Sequence, residues 1–384
     1  MLKDRARNHC ILLLGTCVVE LQTISKYFEA KSFHVSLDYT IREFEDEDES
    51  QILNLLDQTF GRIHTRDYWR WKYFDNPLKK KLIVVAEINE QIIGCGHSFF
   101  REIKFGENMH VMVFGGDAAV HPNYRRMGIH TKMNEIKDGL RDARGYHISA
   151  GITTNPLIKR SRDKQGWPHF PRNIIEAIYV EDVSKMEQGF LKKAGYQVYK
   201  SAKKNLSPKI GENLEFIVND VTQFGAEADA FWEKIKPFYS FLFKRDAANL
   251  NWRYCDNRNT PFKVFSVINQ GELHGYCITL VKETGGVKTG YIIDLCTLPH
   301  MDDVVAVLLR KSVETLTSEV NLIKYWVVEG HPVLSTFHRF GFMSRPSNLE
   351  FRYRHSGRIN DDIERFISAS ENKLFIQYGD TNFI

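Results

Sequence analysis

The 384-residue chain lacks several common signatures. Its six cysteines, at 10, 17, 95, 255, 277 and 296, show no C-x-x-C spacing and no small disulfide frame. They read as reduced, buried thiols of a cytosolic protein. The 14 histidines are scattered without an H-E-x-x-H pair, so no metal site is expected. Charge of one sign is also missing. With 52 Lys and Arg against 48 Asp and Glu, the net +4 gives no reason to expect general nucleic-acid binding. Long apolar runs are absent as well. The ten-residue run Cys10 to Val19 follows Lys3, Arg5 and Arg7 and outwardly resembles a signal peptide. Glu20 follows at once, no A-x-A site is present, and a bilayer-crossing helix needs about 20 apolar residues. Residues 1–38 therefore read as an N-terminal extension, with no membrane partner.

What is present suffices for about two domains, with 43% hydrophobic and 26% charged residues. The most informative stretch is Val120 to His130, V-H-P-N-Y-R-R-M-G-I-H. Before it runs a strand-like segment, Val111 to Ala119. After it, Ile129, Met133, Ile136 and Leu140 recur at helical spacing, and Gly145 is placed to end the helix. A strand, an arginine-glycine turn and a helix start together make a pocket for a pyrophosphate. The first N–H groups of a helix lack intrahelical partners and its dipole favours an anion. Gly128 permits positive φ and close approach of phosphate oxygens.

The chain also repeats itself. Trp71-Lys72-Tyr73-Phe74-Asp75-Asn76, a strand over 82–88 and a turn at 89–91 recur as Trp252-Arg253-Tyr254-Cys255-Asp256-Asn257, a strand over 262–268 and a turn at 269–271. Asp117 with Pro122 matches Asp294 with Pro299, and Gly166-Trp167 matches Gly341-Phe342. Matching order over this span argues for duplication. Each copy reads helix, helix, hairpin, long strand, helix, strand, helix, strand. Ile52, Leu55, Leu56 and Phe60 give the first helix an apolar face, and Thr65 is placed to cap the second. The expected class is α/β (α+β), in two tandem domains at 39–184 and 215–355, each a mixed central sheet flanked by helices. A lysine-rich linker spans 185–214. It reads either as a collector of acidic substrate or as a solvated connector. The C-terminal tail, 356–384, includes a short amphipathic stretch, Ile359 to Phe366.

The strand, loop and helix at 111–140 resemble the GNAT superfamily of N-acetyltransferases, whose signature is Q/R-x-x-G-x-G/A. Arg125 and Gly128 fit, while His130 stands where the family has Gly or Ala. Two GNAT-like copies, the second degenerate, are what the resemblance implies. The second loop reads Pro299-His300-Met301-Asp302-Asp303-Val304. It lacks the glycine and sets two carboxylates where phosphate would sit, with Asp302 placed as a helix N-cap.

The resemblance further implies acetyl-CoA as co-substrate, held by Ala119, Val120, Arg125, Arg126, Met127, Gly128, Ile129, His130 and Asn155. Pantetheine would pair along 116–120 against 148–153, with N–H groups near Ala119 and Val120 polarising the thioester carbonyl. The acceptor would be a small-molecule or peptide amine. Asp117 is the candidate base, with a structural role as the other reading of the same residue. His121 and His130 are alternatives. Where the family often has a tyrosine as general acid, four residues before the final G-F, this chain has Arg162. In some tandem relatives the C-terminal carboxylate, here Ile384, enters the site. Two other functions fit the sequence: a non-catalytic acyl-CoA sensor or interaction protein, and a Fem-type aminoacyltransferase.

Overall fold

The computed structural model describes residues 38–61, 64–182, 199, 216–256, 258, 260–355 and 373–381. Local sequence accounts for the first elements. Ile52, Leu55 and Leu56 bury one face of α1 (Glu49–Phe60), which stops where Gly61 enters the left-handed region. Phe60 is 44% exposed, because it stands at the helix end, beyond the buried face. Thr65 caps α2 (Arg66–Tyr73) by accepting the Tyr68 N–H at 3.3 Å.

The edge strand β1 (Thr40–Glu43) neighbours β2 (Leu82–Ile88). Strand β2 pairs antiparallel with β3 (Gln91–Phe105), across a two-residue turn in which Asn89 and Glu90 both have positive φ. β4 (Asn108–Val120) continues the antiparallel series. Helix α3 (Ile129–Ala143) then crosses to β5 (Ile148–Thr153), which lies parallel to β4. α4 (Pro156–Lys164) and β6 (Ile174–Val180) complete the first half.

The second half repeats the plan. It runs β7 (Val218–Asp220), α5 (Ala226–Ile235), β8 (Phe241–Phe243) and α6 (Ala247–Leu250), the last continued by a π turn over Asn251–Cys255. Then come β9 (Lys263–Asn269), β10 (Glu272–Thr284), β11 (Val287–Thr297), α7 (Asp302–Thr317), β12 (Leu322–Val328) and α8 (Val333–Arg339). The chain ends with β13 (Met343–Pro346), β14 (Glu350–His355) and β15 (Leu374–Phe375). Met301 is the N-cap of α7, so Asp302 stands in its first turn rather than at the cap.

There are two mixed sheets. One runs β1-β2-β3-β4-β5-β14, with β8 on β3 and β15 on β8; the other runs β13-β6-β12-β11-β10-β9-β7. The sequence boundaries 39–184 and 215–355 do not divide these sheets. β6, the last strand of the first half, pairs with β12 and β13 in the second sheet, while β14 pairs with β5 in the first. The described residues from Ile41 onward consequently form one compact unit. The cause is edge satisfaction. β5 and β12 each have a parallel partner on one side only, and the closing strand on the other side comes from the opposite half.

A pseudo-twofold contact joins the halves. Trp71 Nε1–H donates to the Trp252 carbonyl at 2.7 Å, and Trp252 Nε1–H donates to the Trp71 carbonyl at 3.0 Å, across 181 residues. The indoles stack with centroids 5.2 Å apart. Equivalent residues contacting each other reciprocally is the signature of an isologous interface, here within one chain. One apolar core extends from Ile52 and Trp69 to Tyr276, Ile293 and Trp326. Residues 1–37, nearly all of the 185–214 linker, the stretch 359–366 and Ile384 lie outside the described residues.

Two outcomes follow from this interlock. Trp71→Ala and Trp252→Ala should each cost about 3–5 kcal/mol, the usual penalty for truncating a buried tryptophan, read from urea unfolding. A fragment of residues 38–182 should fail to give a cooperative unfolding transition, since β6 has no sheet to join and β5 no closing strand. A stable, cooperative fragment would show that the strand exchange is dispensable.

Candidate functional site

The arginine-glycine loop hangs between β4 and α3. Arg126 has φ 67° and Gly128 φ 77°, so the chain makes two left-handed steps and presents Gly128 as the N-cap of α3. Nothing lies within 4 Å of the place a Gly128 Cβ would take. Arg125, Arg126, Met127 and His130 are exposed, whereas Ile129 is buried and pins the helix start to the core. Arg125 Nε donates to the Val120 carbonyl at 3.1 Å, folding the loop back on the end of β4. His130 lies 3.3 Å from Asn134 on the exposed side of α3. An exposed helix N-terminus with two flanking arginines can take a phosphate group.

β4 and β5 pair only over Met112–Phe114 and Ile148–Ala150, then part. Which N–H groups face the split follows from the ladder with β3. His121 N–H bonds the Ile93 carbonyl at 2.9 Å, and bonded pairs alternate along an antiparallel ladder. The 119/95 pair is therefore bonded, so the Ala119 N–H points to β3. Ala118 and Val120 face the split instead. The Ala119 N–H, turned toward β3, does not share that direction.

Behind the split sits a buried polar cluster. Tyr73 Oη donates to Asp117 Oδ2 at 2.8 Å and accepts the Asp117 N–H at 2.9 Å. Lys72 Nζ reaches the same oxygen at 3.0 Å. His97 Nε2 accepts from Trp69 Nε1–H at 2.9 Å, which places the ring hydrogen on Nδ1, where it donates to the Asp117 carbonyl at 2.7 Å. Burial pushes His97 down to about 4, so it is neutral at pH 7. Burial alone would raise the Asp117 pKa, but the Lys72 and His97 fields and the bonds from Lys72 and Tyr73 hold it well below the usual carboxylate range. Gly116 is required here, because a Cβ would meet Tyr73 Oη at 2.5 Å.

The remaining candidates divide by what occupies them. His121 Nδ1 accepts the Asn123 N–H at 3.3 Å, capping the turn Pro122–Tyr124. Asn155 caps α4 by accepting the Leu157 N–H at 2.9 Å. Arg162 lies over β5, where a Cβ on Gly151 would collide with its guanidinium. Its guanidinium is 5.5 Å from the Trp167 ring centroid and its Nη1 is buried without a partner. Burial lowers its pKa. Nearby Asp163, His169 and Glu350 come within 4.8 Å of one another, with Arg352 ion-paired to both carboxylates.

The second half repeats the frame and closes the split. Tyr254 Oη donates to Asp294 Oδ2 at 2.9 Å, as Tyr73 does to Asp117. β11 and β12 pair over Thr289–Ile292 and Leu322–Tyr325, then part. Into that gap the C-terminal tail inserts Gln377, whose Nε2–H donates to the Leu295 carbonyl at 2.7 Å while its Oε1 accepts the Leu295 N–H at 2.6 Å. Tyr378 stacks on Trp326 at 3.6 Å. Leu295 corresponds to Ala118, so a side-chain amide fills the second gap, whereas along the first, among the described residues, Gly115 is exposed and Ala118 and Val120 are half-buried.

Comparison with known proteins agrees with this geometry. Residues 40–163 match the family described as the acetyltransferase (GNAT) domain. The fold is that of GNAT proteins. A probable N-acyltransferase of unknown function from Enterococcus faecalis superposes with TM-score 0.59 at 13% identity, over 86% of this chain and 74% of that one. A GCN5-related N-acetyltransferase from Anabaena variabilis gives 0.56 at 14%, over 83% and 73%. Saccharomyces cerevisiae N-myristoyltransferase, solved with myristoyl-CoA and inhibitors, gives 0.55 at 9%, over 83% and 80%. No curated protein matches by sequence. No helix among the described residues is long and apolar enough to cross a membrane.

Sequence reasoning missed the partners of Asp117. The signal was available, since the W-[KR]-Y triplet and the aspartate recur together in both halves. A carboxyl whose pKa is lower folded than unfolded adds stability that is complete above about pH 4, the unfolded value, and fades as pH falls further. Asp117→Asn should therefore lower stability at pH 7, and its deficit relative to the unaltered chain should shrink between about pH 4 and pH 2, measured by urea unfolding. A deficit independent of pH would remove the ionic role.

Proposed function

We propose that the chain is an acetyl-CoA-dependent N-acetyltransferase whose first half alone binds the donor, the second half being a degenerate copy. The observation that carries this reading is the contrast between the two gaps. Among the described residues the β4/β5 split keeps Gly115 exposed and Ala118 and Val120 half-buried, and it leads to an exposed helix N-terminus with Arg125, Arg126 and Gly128. The β11/β12 split is filled by Gln377, and its loop meets Asp302 and Asp303.

In this reading the pyrophosphate rests on the N–H groups of residues 126–130, with the arginines as counter-charge. Pantetheine follows β4, and the Ala118 and Val120 N–H groups orient the donor and polarise the thioester carbonyl. The acceptor is a small-molecule or peptide amine. Its nitrogen attacks the carbonyl carbon, the C–S bond breaks, and the thiolate leaves. Arg162, over β5 with a free Nη1, supplies the positive charge for that thiolate or for phosphate.

An alkylammonium must first lose its proton, which at pH 7 costs about 4–5 kcal/mol. Asp117 is poorly suited as acceptor of that proton, because Lys72 and Tyr73 already stabilise its ionised form. We assign it to positioning of β4. His121 would have to release its cap before its Nδ1 could serve. Water reaching the open split is the better route, and it predicts turnover that rises with pH as the free amine fraction grows.

The test is calorimetric and kinetic. One acetyl-CoA per chain is expected. The pair Arg125→Ala, Gly128→Asp should weaken it by about 10- to 100-fold, the loss of one or two charge-assisted bonds, while Asp302→Ala leaves it within about twofold. A library of amines assayed by free-thiol release should identify the acceptor. Two equivalent sites, or binding without turnover on any amine, would overturn the reading.

A further inference from the structure

We infer that the second half carries a separate binding site for a small, uncharged, carbonyl-bearing apolar molecule. A cavity of about 560 Å³ lies between the end of β11, the loop before α7 and the loop after β12. Leu295, Leu298, Met301, Val305, Val328 and Phe375 supply its apolar wall. Its size is within the usual range for small-molecule sites.

His331 gives the site its polar group. Its Nδ1 accepts the Val333 N–H at 3.3 Å, which leaves the ring hydrogen of the neutral imidazole on Nε2. Burial pushes this histidine down to about 4, so the neutral form holds at pH 7. Nε2 is buried and has no partner. A buried donor left unpaired is costly, and an acceptor oxygen on a ligand relieves it. Tyr239 stacks on the imidazole with centroids 6.3 Å apart and Phe375 meets it edge-on at 5.5 Å, and all three residues line the cavity.

The repeat explains why a cavity persists here. His331 and Asn155 both precede a proline and accept the N–H two residues on, at the start of the next helix. The cavity thus lies beside the gap that Gln377 fills, between loops that correspond to those flanking the donor in the first half. Phosphate is excluded, because Asp302 and Asp303 stand in the first turn of α7 and Gly128 has no counterpart. A carboxylate is disfavoured beside a neutral imidazole. At the exposed rim, Arg172 and Lys373 are balanced by Asp302 and Glu329.

The full chain should be titrated by calorimetry with N-hexylacetamide, hexanoate and hexylamine. One N-hexylacetamide should bind per chain, at least about fivefold more tightly than either charged analogue. His331→Phe should weaken it by about five- to tenfold, one hydrogen bond's worth. Val305→Trp should abolish it while thermal unfolding stays as in the unaltered chain. If Val305→Trp unfolds early, Leu298→Trp fills the same space from another wall. Binding that survives the folded tryptophan variant, or no binding by any of the three probes, overturns the site. Tighter binding of hexanoate or hexylamine overturns the uncharged class.

Discussion

The reciprocal contact between Trp71 and Trp252 is the constraint on which the rest of the architecture depends. Each indole N–H takes the other residue's carbonyl, so neither helix can rotate or slide without breaking both bonds. That fixes α2, and with it Lys72 and Tyr73, which hold Asp117 on β4. The same contact fixes Tyr254 on Asp294 in the other half. The geometry of the open split is thus set from the centre of the molecule.

Symmetry of the frame makes the asymmetry of the two gaps informative. Both halves keep the tyrosine–aspartate pair and the parting of two parallel strands. They differ in what meets the exposed strand. In the second half the tail brings Gln377, with Arg245 and Asp380 as a buried ion pair at 2.8 Å behind it. Beside Asp380, burial raises the Asp294 pKa to about 6 against the opposing pull of Arg245. Residues 374–381 are therefore part of the interior, not an appendage.

Much of this was legible from residue order. The helix after Gly128, the cap at Thr65, the hairpin at 89–90 and the internal repeat all rest on local spacing and turn chemistry, and local rules predict local structure. The strand exchange was not legible, because β6 is an apolar strand that would suit either sheet, while the acidic partners of Arg352 and Arg354 on β14, Asp163 and Asp138, stand 189 and 216 residues away in the chain. Gln377 was illegible for a similar reason: its role depends on a partner more than eighty residues away. For Asp117 it is the surroundings, not the residue type, that decide the chemistry. Lys72 and Tyr73, which residue order marks only as part of the repeated segment, hold it as a buried anion.

The exchange of closing strands has a consequence for the birth of the protein. β5 is finished at Thr153, while its second neighbour begins at Glu350. At about 5–20 residues per second, a ribosome needs about 10–40 s to make the stretch between them. Throughout that interval the first sheet has a bare edge at the strand that should flank the donor cleft. Such an edge pairs readily with any other extended chain, so the nascent protein must be shielded until nearly all of it has been made.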